Sequence, residues 1–172
     1  MAALHGQQNT LTIPCSVEQE MSRHMHLSLP QEACGVVLGE SAAGGIRISR
    51  FQPIRNVAPD PLHHFTLDQT EWIRCIFSGS TIVGIFHTHP HTTPTPSHED
   101  LQALPDFGGM VQVYLIGSPN PDTQSSCSNP NESPSRMLMN AYQIATSNHQ
   151  QPSNAASKFP SVHLIPMELR VT

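Results

Sequence analysis

Two histidines one residue apart, His87 and His89, follow the apolar, β-rich run Thr81–Phe86. On a strand, residues i and i+2 point to the same face with Cα atoms roughly 6.5–7 Å apart, so the two imidazoles project side by side. Zinc takes neutral nitrogen or anionic ligands at roughly 2.0–2.2 Å in a tetrahedral array, and that pair of rings is within reach of one ion. Asp100, eleven residues beyond His89, supplies a third ligand from the first turn of a helix expected to start at Ser97. Pro94 and Pro96 keep the intervening loop extended, which folds that helix back over the strand end. Two imidazoles and one carboxylate leave a fourth position to water, the mark of a catalytic rather than a structural zinc site.

Water activated in this way still needs a base that takes its proton and passes it to the leaving group. Glu32, in Pro30-Gln31-Glu32-Ala33-Cys34-Gly35, stands between a helix stop and an apolar run and is the best candidate. Ser97 lies one helical turn before Asp100, so its hydroxyl faces the same metal and can donate to a developing oxyanion. Each piece alone has a plainer reading. A lone His-x-His is commonly coincidence in a histidine-rich chain, Ser97-x-x-Asp100 is commonly a helix cap, and Glu32 is one loop carboxylate among several. His63, His64, His91 and His98 read as exposed loop residues, any of which could line a groove, and His5, His149 and His163 as structural or solvated. Cys34 and Cys75 read as core, because neither has an adjacent base.

The surrounding pattern must position these groups. Ser16-Val17-Glu18-Gln19 reads as a capping box opening a helix, with Val17, Met21 and Met25 at helical spacing until Pro30. Gly35–Gly39 reads as a buried strand, Ser41–Gly45 as a turn, and Ile46–Ile54 as its hairpin partner. Asn56–Pro61 is loop. Asp68–Glu71 caps a second helix whose apolar face is Trp72, Ile73, Ile76 and Phe77. After the short helix at Ser97, which stops before Pro105, strands are expected at Met110–Ile116, around Met139–Ala145 and at Val162–Leu169. Residues 118–136 hold six Ser, four Pro and three Asn, too polar to pack, and read as a disordered insertion; 146–161 is a milder loop. Helices mixed with hairpin-linked strands imply an α/β sheet of mixed direction.

Composition excludes several classes. The 172 residues suit one domain, with a core large enough to do without staples. Eight Lys+Arg against thirteen Asp+Glu give a net charge of −5, with no basic footprint for nucleic acid and no polybasic membrane anchor. No apolar run approaches the ~20 residues of a membrane span. The start, MAALHGQQNT, reads as no signal peptide. Cys15, Cys34, Cys75 and Cys127 are scattered without a C-x-x-C and read as reduced thiols of a cytoplasmic protein.

Together, Glu32, the run His87-Thr88-His89-Pro90, seven residues from His89 to Ser97 and two more to Asp100 resemble the JAMM motif of the JAB1/MPN/Mov34 metalloproteases. Every motif position is present at its spacing. The likeness covers roughly residues 11–117 and resumes at Asn140–Ala145 and Val162–Leu169. Glu32–Gly35, Asn56–Ala58 and Phe65–Asp68 look like the compact prokaryotic branch, which acts on ubiquitin-like and sulfur-carrier proteins. The resemblance implies a single domain over 1–172: a curved mixed β-sheet flanked by helices, similar to cytidine deaminases. It implies one zinc per chain on His87, His89 and Asp100, with Glu32 holding and deprotonating the water and Ser97 stabilising the tetrahedral intermediate. The implied reaction is hydrolysis of the peptide or isopeptide bond after the C-terminal glycine of the carrier.

A nucleoside deaminase also uses zinc and a glutamate, but its H-x-E…P-C-x-x-C signature is absent, as are HExxH, GxSxG, Walker A and GxGxxG. The serious rival is a non-catalytic, zinc-bearing MPN-type binding module. Such scaffold members typically lose a ligand or the glutamate, whereas all five positions stand here. Metal storage is weaker still, since the histidines form no repetitive tract.

Overall fold

Gly44 sits at φ 85, a left-handed backbone that residues with a Cβ adopt only at a cost, and the chain reverses there. The reversal joins β2 (Cys34–Ala42) to β3 (Gly45–Ile54) as the antiparallel hairpin that the alternating pattern predicts. A computed structural model describes residues 9–107, 109–121, 137–147 and 161–172. The other strands are β1 (Thr10–Ile13), β4 (Ile82–Thr88), β5 (Val113–Ser118), β6 (Leu138–Ser147), β7 (Ser161–Pro166) and β8 (Glu168–Val171). They form one sheet in the order β7-β6-β5-β4-β2-β3-β1-β8. Pairs β4–β5, β1–β3 and β1–β8 are parallel and the rest antiparallel, so the sheet is mixed, as expected.

Two strand expectations need correction. No strand was expected before the first helix, yet β1 pairs there with both β3 and β8; its four residues are too few for a periodic signal. The single strand expected at Val162–Leu169 is two, parted at Met167 and lying on opposite edges of the sheet. One residue spans only a few ångströms, so the two edges must lie close together. Met167 N–H accordingly donates to the Ala141 carbonyl of β6 at 2.9 Å, while Glu168 N–H donates to Asn9 beside β1 at 3.1 Å. The sheet therefore curls almost shut.

Helix α1 (Cys15–Ser28) packs inside the curl through Val17, Met21 and Met25, the stripe read from the sequence. Met21 and Met25 are fully buried, and each such side chain contributes about 1.5–3 kcal/mol. Its start differs from the Ser16 box. Pro14 is the N-cap, its carbonyl accepts from Val17 and Glu18, and Cys15 N–H donates to Thr172 at 2.7 Å. A tertiary partner beyond β8 thus does part of the work expected of a side-chain cap.

A second apolar layer on the outer face includes Cys34, Val36, Ile54, Ile85, Tyr114 and Ile116. Helix α2 (Gln69–Phe77) joins it, capped as expected by Asp68, which accepts from Glu71 N–H at 3.0 Å. The four apolar residues of α2 do not share one buried face. Trp72 packs inward with Cys75, while Ile73, Ile76 and Phe77 point out, Phe77 being 82% exposed. Adjacent residues on a helix diverge by about 100°, so the set spreads over too wide an arc for one contact. Helix α3 (His98–Ala103) stops before Pro105 as expected and runs on as a 3-10 turn, Leu104–Phe107. Of the polar segments, Ser118 closes β5 and is buried, Ser147 ends β6 and Ser161 opens β7; residues 122–136 and 148–160 lie outside the described residues.

The strand that ends in the histidines also grips the segment carrying Glu32. β4 pairs antiparallel with β2, Cys34 opposite His87. One residue on, Thr88 N–H donates to the Ala33 carbonyl at 3.0 Å, and Ala33 N–H donates back to Thr88 Oγ1 at 2.8 Å in a fully buried setting. Thr88→Val keeps shape but leaves the Ala33 N–H without its acceptor. Stability should fall by about 1–3 kcal/mol in urea unfolding, and Thr88→Ser should recover most of the loss. Equal midpoints for the valine variant and the wild type would show that this bond carries no weight.

Candidate metal centre

His87 is the penultimate residue of β4, and His89 follows one residue past its end, still held in line by donating its N–H to Gly117 at 2.8 Å. The two rings lie on one side, with Nε2 atoms 3.1 Å apart. Ser97 caps α3 through a reciprocal box: Asp100 N–H donates to Ser97 Oγ at 3.1 Å, and Ser97 N–H donates to Asp100 Oδ2 at 2.7 Å. That box turns the Asp100 carboxylate inward. Oδ1 lies 3.0 Å from His87 Nε2, and Oδ2 lies 3.3 Å from His89 Nε2. All three side chains are buried, and among the described residues they form the one group of His, Cys, Asp or Glu compact enough for a metal.

Donors at roughly 2.0–2.1 Å from a tetrahedral ion lie about 3.3 Å from one another, close to the separations observed. The tautomer of His89 suits the same task. Its Nδ1 lies 3.1 Å from the Thr93 carbonyl and so carries a proton, which leaves Nε2, facing the cluster, as the nitrogen that would ligate once it is unprotonated. The extended loop that carries Thr93 is itself anchored: Asn140 Nδ2 donates to Pro94 O at 3.0 Å and Tyr142 OH at 3.4 Å. His87 has no partner on Nδ1 and is held by packing, its ring stacked on Phe65 at 4.5 Å and tilted against Tyr114 at 5.1 Å. Tyr114 also donates its hydroxyl to Asp100 Oδ1 at 3.2 Å. The donor set, its burial and its outer contacts fit a zinc ion.

Glu32 is buried just before β2, its N–H donating to Pro61 O at 2.8 Å. Asn56 completes the support. Its amide donates to Glu32 O at 3.0 Å and to His64 O at 2.9 Å, and its oxygen accepts from Ala58 and Thr66, both at 3.0 Å. One side chain thus folds the 56–66 loop over the backbone of Glu32 and delivers Phe65 to His87. An open cleft of about 620 Å³ reaches Glu32 from between α1, β3 and α2, lined by Leu29, Gln31, Pro53 and Asn56 among others.

The two carboxylates respond oppositely to burial. For Glu32, desolvation dominates and pushes the pKa up to about 7; His89 draws it down and Asp100 raises it further. For Asp100, burial also acts upward, but hydrogen bonds from His87 and His89 outweigh it and hold the carboxyl well below its usual range. His87 is lowered by complete burial, whereas the bonds of His89 to Asp100 and Thr93 overcome its desolvation and raise it. A divalent cation here would favour the anionic Glu32 and the unprotonated imidazoles.

The structure thus gathers His87, His89 and Asp100, with Ser97 as the cap of α3 and Glu32 on the segment pinned to Thr88. Ser97 Oγ accepts in the capping box, which leaves its hydroxyl proton free to donate. Asn56, Phe65 and Tyr114 support the site but carry no motif spacing of their own. His63 pairs with Asp60 at 2.9 Å on the surface, and His98 with Gln102 at 3.0 Å. Exposed His64 and His91 stay out of the cluster, and His5 and His149 lie outside the described residues. Burial pushes the Cys34 thiol up to about 12 and raises that of Cys75, in keeping with packing roles.

Residues 14–136 match the family described as prokaryotic homologues of the JAB domain. A desampylase of Haloferax volcanii is 35% identical over 95 residues, which cover 53% of this chain and 65% of that protein. A probable TtuB-protein conjugate cleaving protease of Thermus thermophilus is 26% identical over 96 residues, 54% of this chain and 62% of that one. Tail tip assembly protein K of Escherichia phage N15 is 36% identical over 77 residues, 45% of this chain and 29% of its own. The chain thus spans under two thirds of the length of each of these relatives. In structure, a Desulfitobacterium hafniense protein solved in solution aligns over 94% of both chains with a TM-score of 0.61 at 23% identity, a likeness of fold. The sheet order, the buried His-His-Asp cluster and the match over most of its length agree: this chain belongs to the prokaryotic homologues of the JAB domain.

Proposed function

We propose that this protein is a zinc-dependent hydrolase that cuts the peptide or isopeptide bond after the C-terminal glycine of a ubiquitin-like or sulfur-carrier protein. The observation that carries the reading is the convergence of buried His87, His89 and Asp100 at ligand spacing, with buried Glu32 on the segment that Thr88, between the two histidines, holds by paired hydrogen bonds at Ala33. The names desampylase and TtuB-protein conjugate cleaving protease, borne by two relatives, support the substrate class. In this reading His87, His89 and Asp100 would hold one zinc per chain, which would supply Lewis acidity when bound.

The chain's own groups do the rest. Glu32 takes a proton from the attacking water and returns it to the departing amine, a task suited to a carboxyl held by its backbone on both sides. Ser97 offers its free hydroxyl proton to the carbonyl oxygen as negative charge gathers there. The Thr93 carbonyl keeps the His89 ring oriented. An extended tail is the form of substrate that suits a site at a strand end beside an extended loop, and glycine before the cut lets the backbone approach without a Cβ clash.

Elemental analysis after dialysis should find one zinc per chain, and a His87→Ala/His89→Ala double variant should lose it; zinc retained by that variant would place the ion elsewhere. The purified protein, given glycine-tailed ubiquitin-like fusions, should release products ending in that glycine by mass spectrometry, and a chelator should stop it. Glu32→Gln should keep zinc and fold while the rate falls about 10²–10⁴-fold. Activity within a few-fold of wild type would remove Glu32 from the mechanism, and zinc binding without any cleavage would favour the binding-module reading. Two fusions differing only by Gly→Val at the residue donating the scissile carbonyl should be cut at very different rates. Similar rates would point to a broader peptidase.

A further inference from the structure

We propose that Tyr114 is a positioning residue for the metal, its hydroxyl holding the Asp100 carboxylate in the orientation in which it ligates. The inference rests on the reading of His87, His89 and Asp100 as a zinc site and deepens it.

Four groups meet the Asp100 oxygens: His87 Nε2 and Tyr114 OH at Oδ1, at 3.0 and 3.2 Å, and His89 Nε2 and Ser97 N–H at Oδ2, at 3.3 and 2.7 Å. An imidazole that gives its Nε2 lone pair to a metal has no proton there to donate. With the ion bound, only Ser97 N–H and Tyr114 OH remain of the four as hydrogen-bond donors to the carboxylate. Ser97 belongs to the same helical turn as Asp100 and moves with it. Tyr114 belongs to β5, in the central sheet, and its hydroxyl is the tie from the carboxylate to that frame.

The frame is the one that sets the histidines. β4 and β5 pair in parallel with Ile85 beside Tyr114 and His87 beside Ile116, so the tyrosine stands one same-face step back from the ligand on the neighbouring strand. Its ring is fully buried, 5.1 Å from that of His87 and 6.5 Å from that of Phe107. A single strand register therefore fixes both the imidazole and the donor that aims the carboxylate. Outer partners of this kind typically set metal affinity by about 10–100-fold.

The experiment compares the full chain with Tyr114→Phe, which keeps the ring and removes the hydroxyl. Zinc affinity is read by competition with a chromophoric chelator, and ligand geometry by the visible spectrum of the cobalt-substituted protein. The expected result is zinc binding weaker by about 10-fold or more with an altered cobalt spectrum. Affinity within about twofold of wild type and an unchanged spectrum overturn the role of Tyr114 while leaving the site intact. A wild type that binds no zinc overturns the site reading, and the proposal with it. A second measurement leaves position 114 untouched: the chain has two tyrosines and one tryptophan, so in Trp72→Phe/Tyr142→Phe protein Tyr114 is the one remaining tyrosine or tryptophan to report. Zinc should shift its near-ultraviolet band, and a band that zinc does not move counts against the hydroxyl contact.

Discussion

A carboxylate that is 5% exposed sets the terms for everything around it. Burying an anion costs several kcal/mol unless partners replace the water, and Asp100 is supplied from every side. Two imidazoles come from the end of β4, an N–H from its own helix cap, and a hydroxyl from β5. Each supplier restricts its element. The cap fixes where α3 begins, the Thr93 carbonyl fixes the course of the loop before it, and the strand register fixes the height of the tyrosine. The His-His-Asp cluster is accordingly assembled around one charge rather than laid onto a finished surface.

Glu32 shows the same physics with the compensation withheld. Its backbone is gripped by Pro61 and Asn56, and its neighbour Ala33 by Thr88, but among the described residues its carboxyl has no comparable ring of donors, and desolvation lifts it to about 7. Two buried acids in one small region thus respond oppositely to burial, Asp100 held low by its donors and Glu32 raised by desolvation. The donors around Asp100 are what set the two carboxyls apart.

The parts of the site written in local spacing were legible in the sequence. His87 and His89 follow the period of a strand, Ser97 and Asp100 that of a helical first turn, and Asp68 signals the start of α2. What could not be read depends on registers between distant segments. Tyr114 is an ordinary strand residue until β5 is set beside β4, and Asn56 an ordinary loop residue until four backbone groups close around it. The same holds for the fold. The hairpin β2–β3 follows from alternation, but the division of 161–171 between two edges is decided by the closing of the curl. Pro14 displaced the expected Ser16 cap because Thr172 offered its carbonyl to Cys15, a partner far along the chain. On α2, apolar count suggested a buried face, whereas the sheet has room for Trp72 and Cys75 alone among the apolar residues named there.

That closure also orders events in time during synthesis. All five motif positions and the strands β2 to β5 fall within residues 32–118, so the heart of the sheet has its partners while the last third of the chain is still being made. β1, the first of the described strands, joins β3 early but shows an open edge until residues 168–171 arrive to pair with it. An unpaired strand edge is a template for other chains, and contacts spanning nearly the whole length are the slowest to form. The nascent protein therefore holds a nearly complete His-His-Asp cluster beside an unsealed flank, and its most vulnerable interval lies between gathering that cluster and closing the sheet that shelters it.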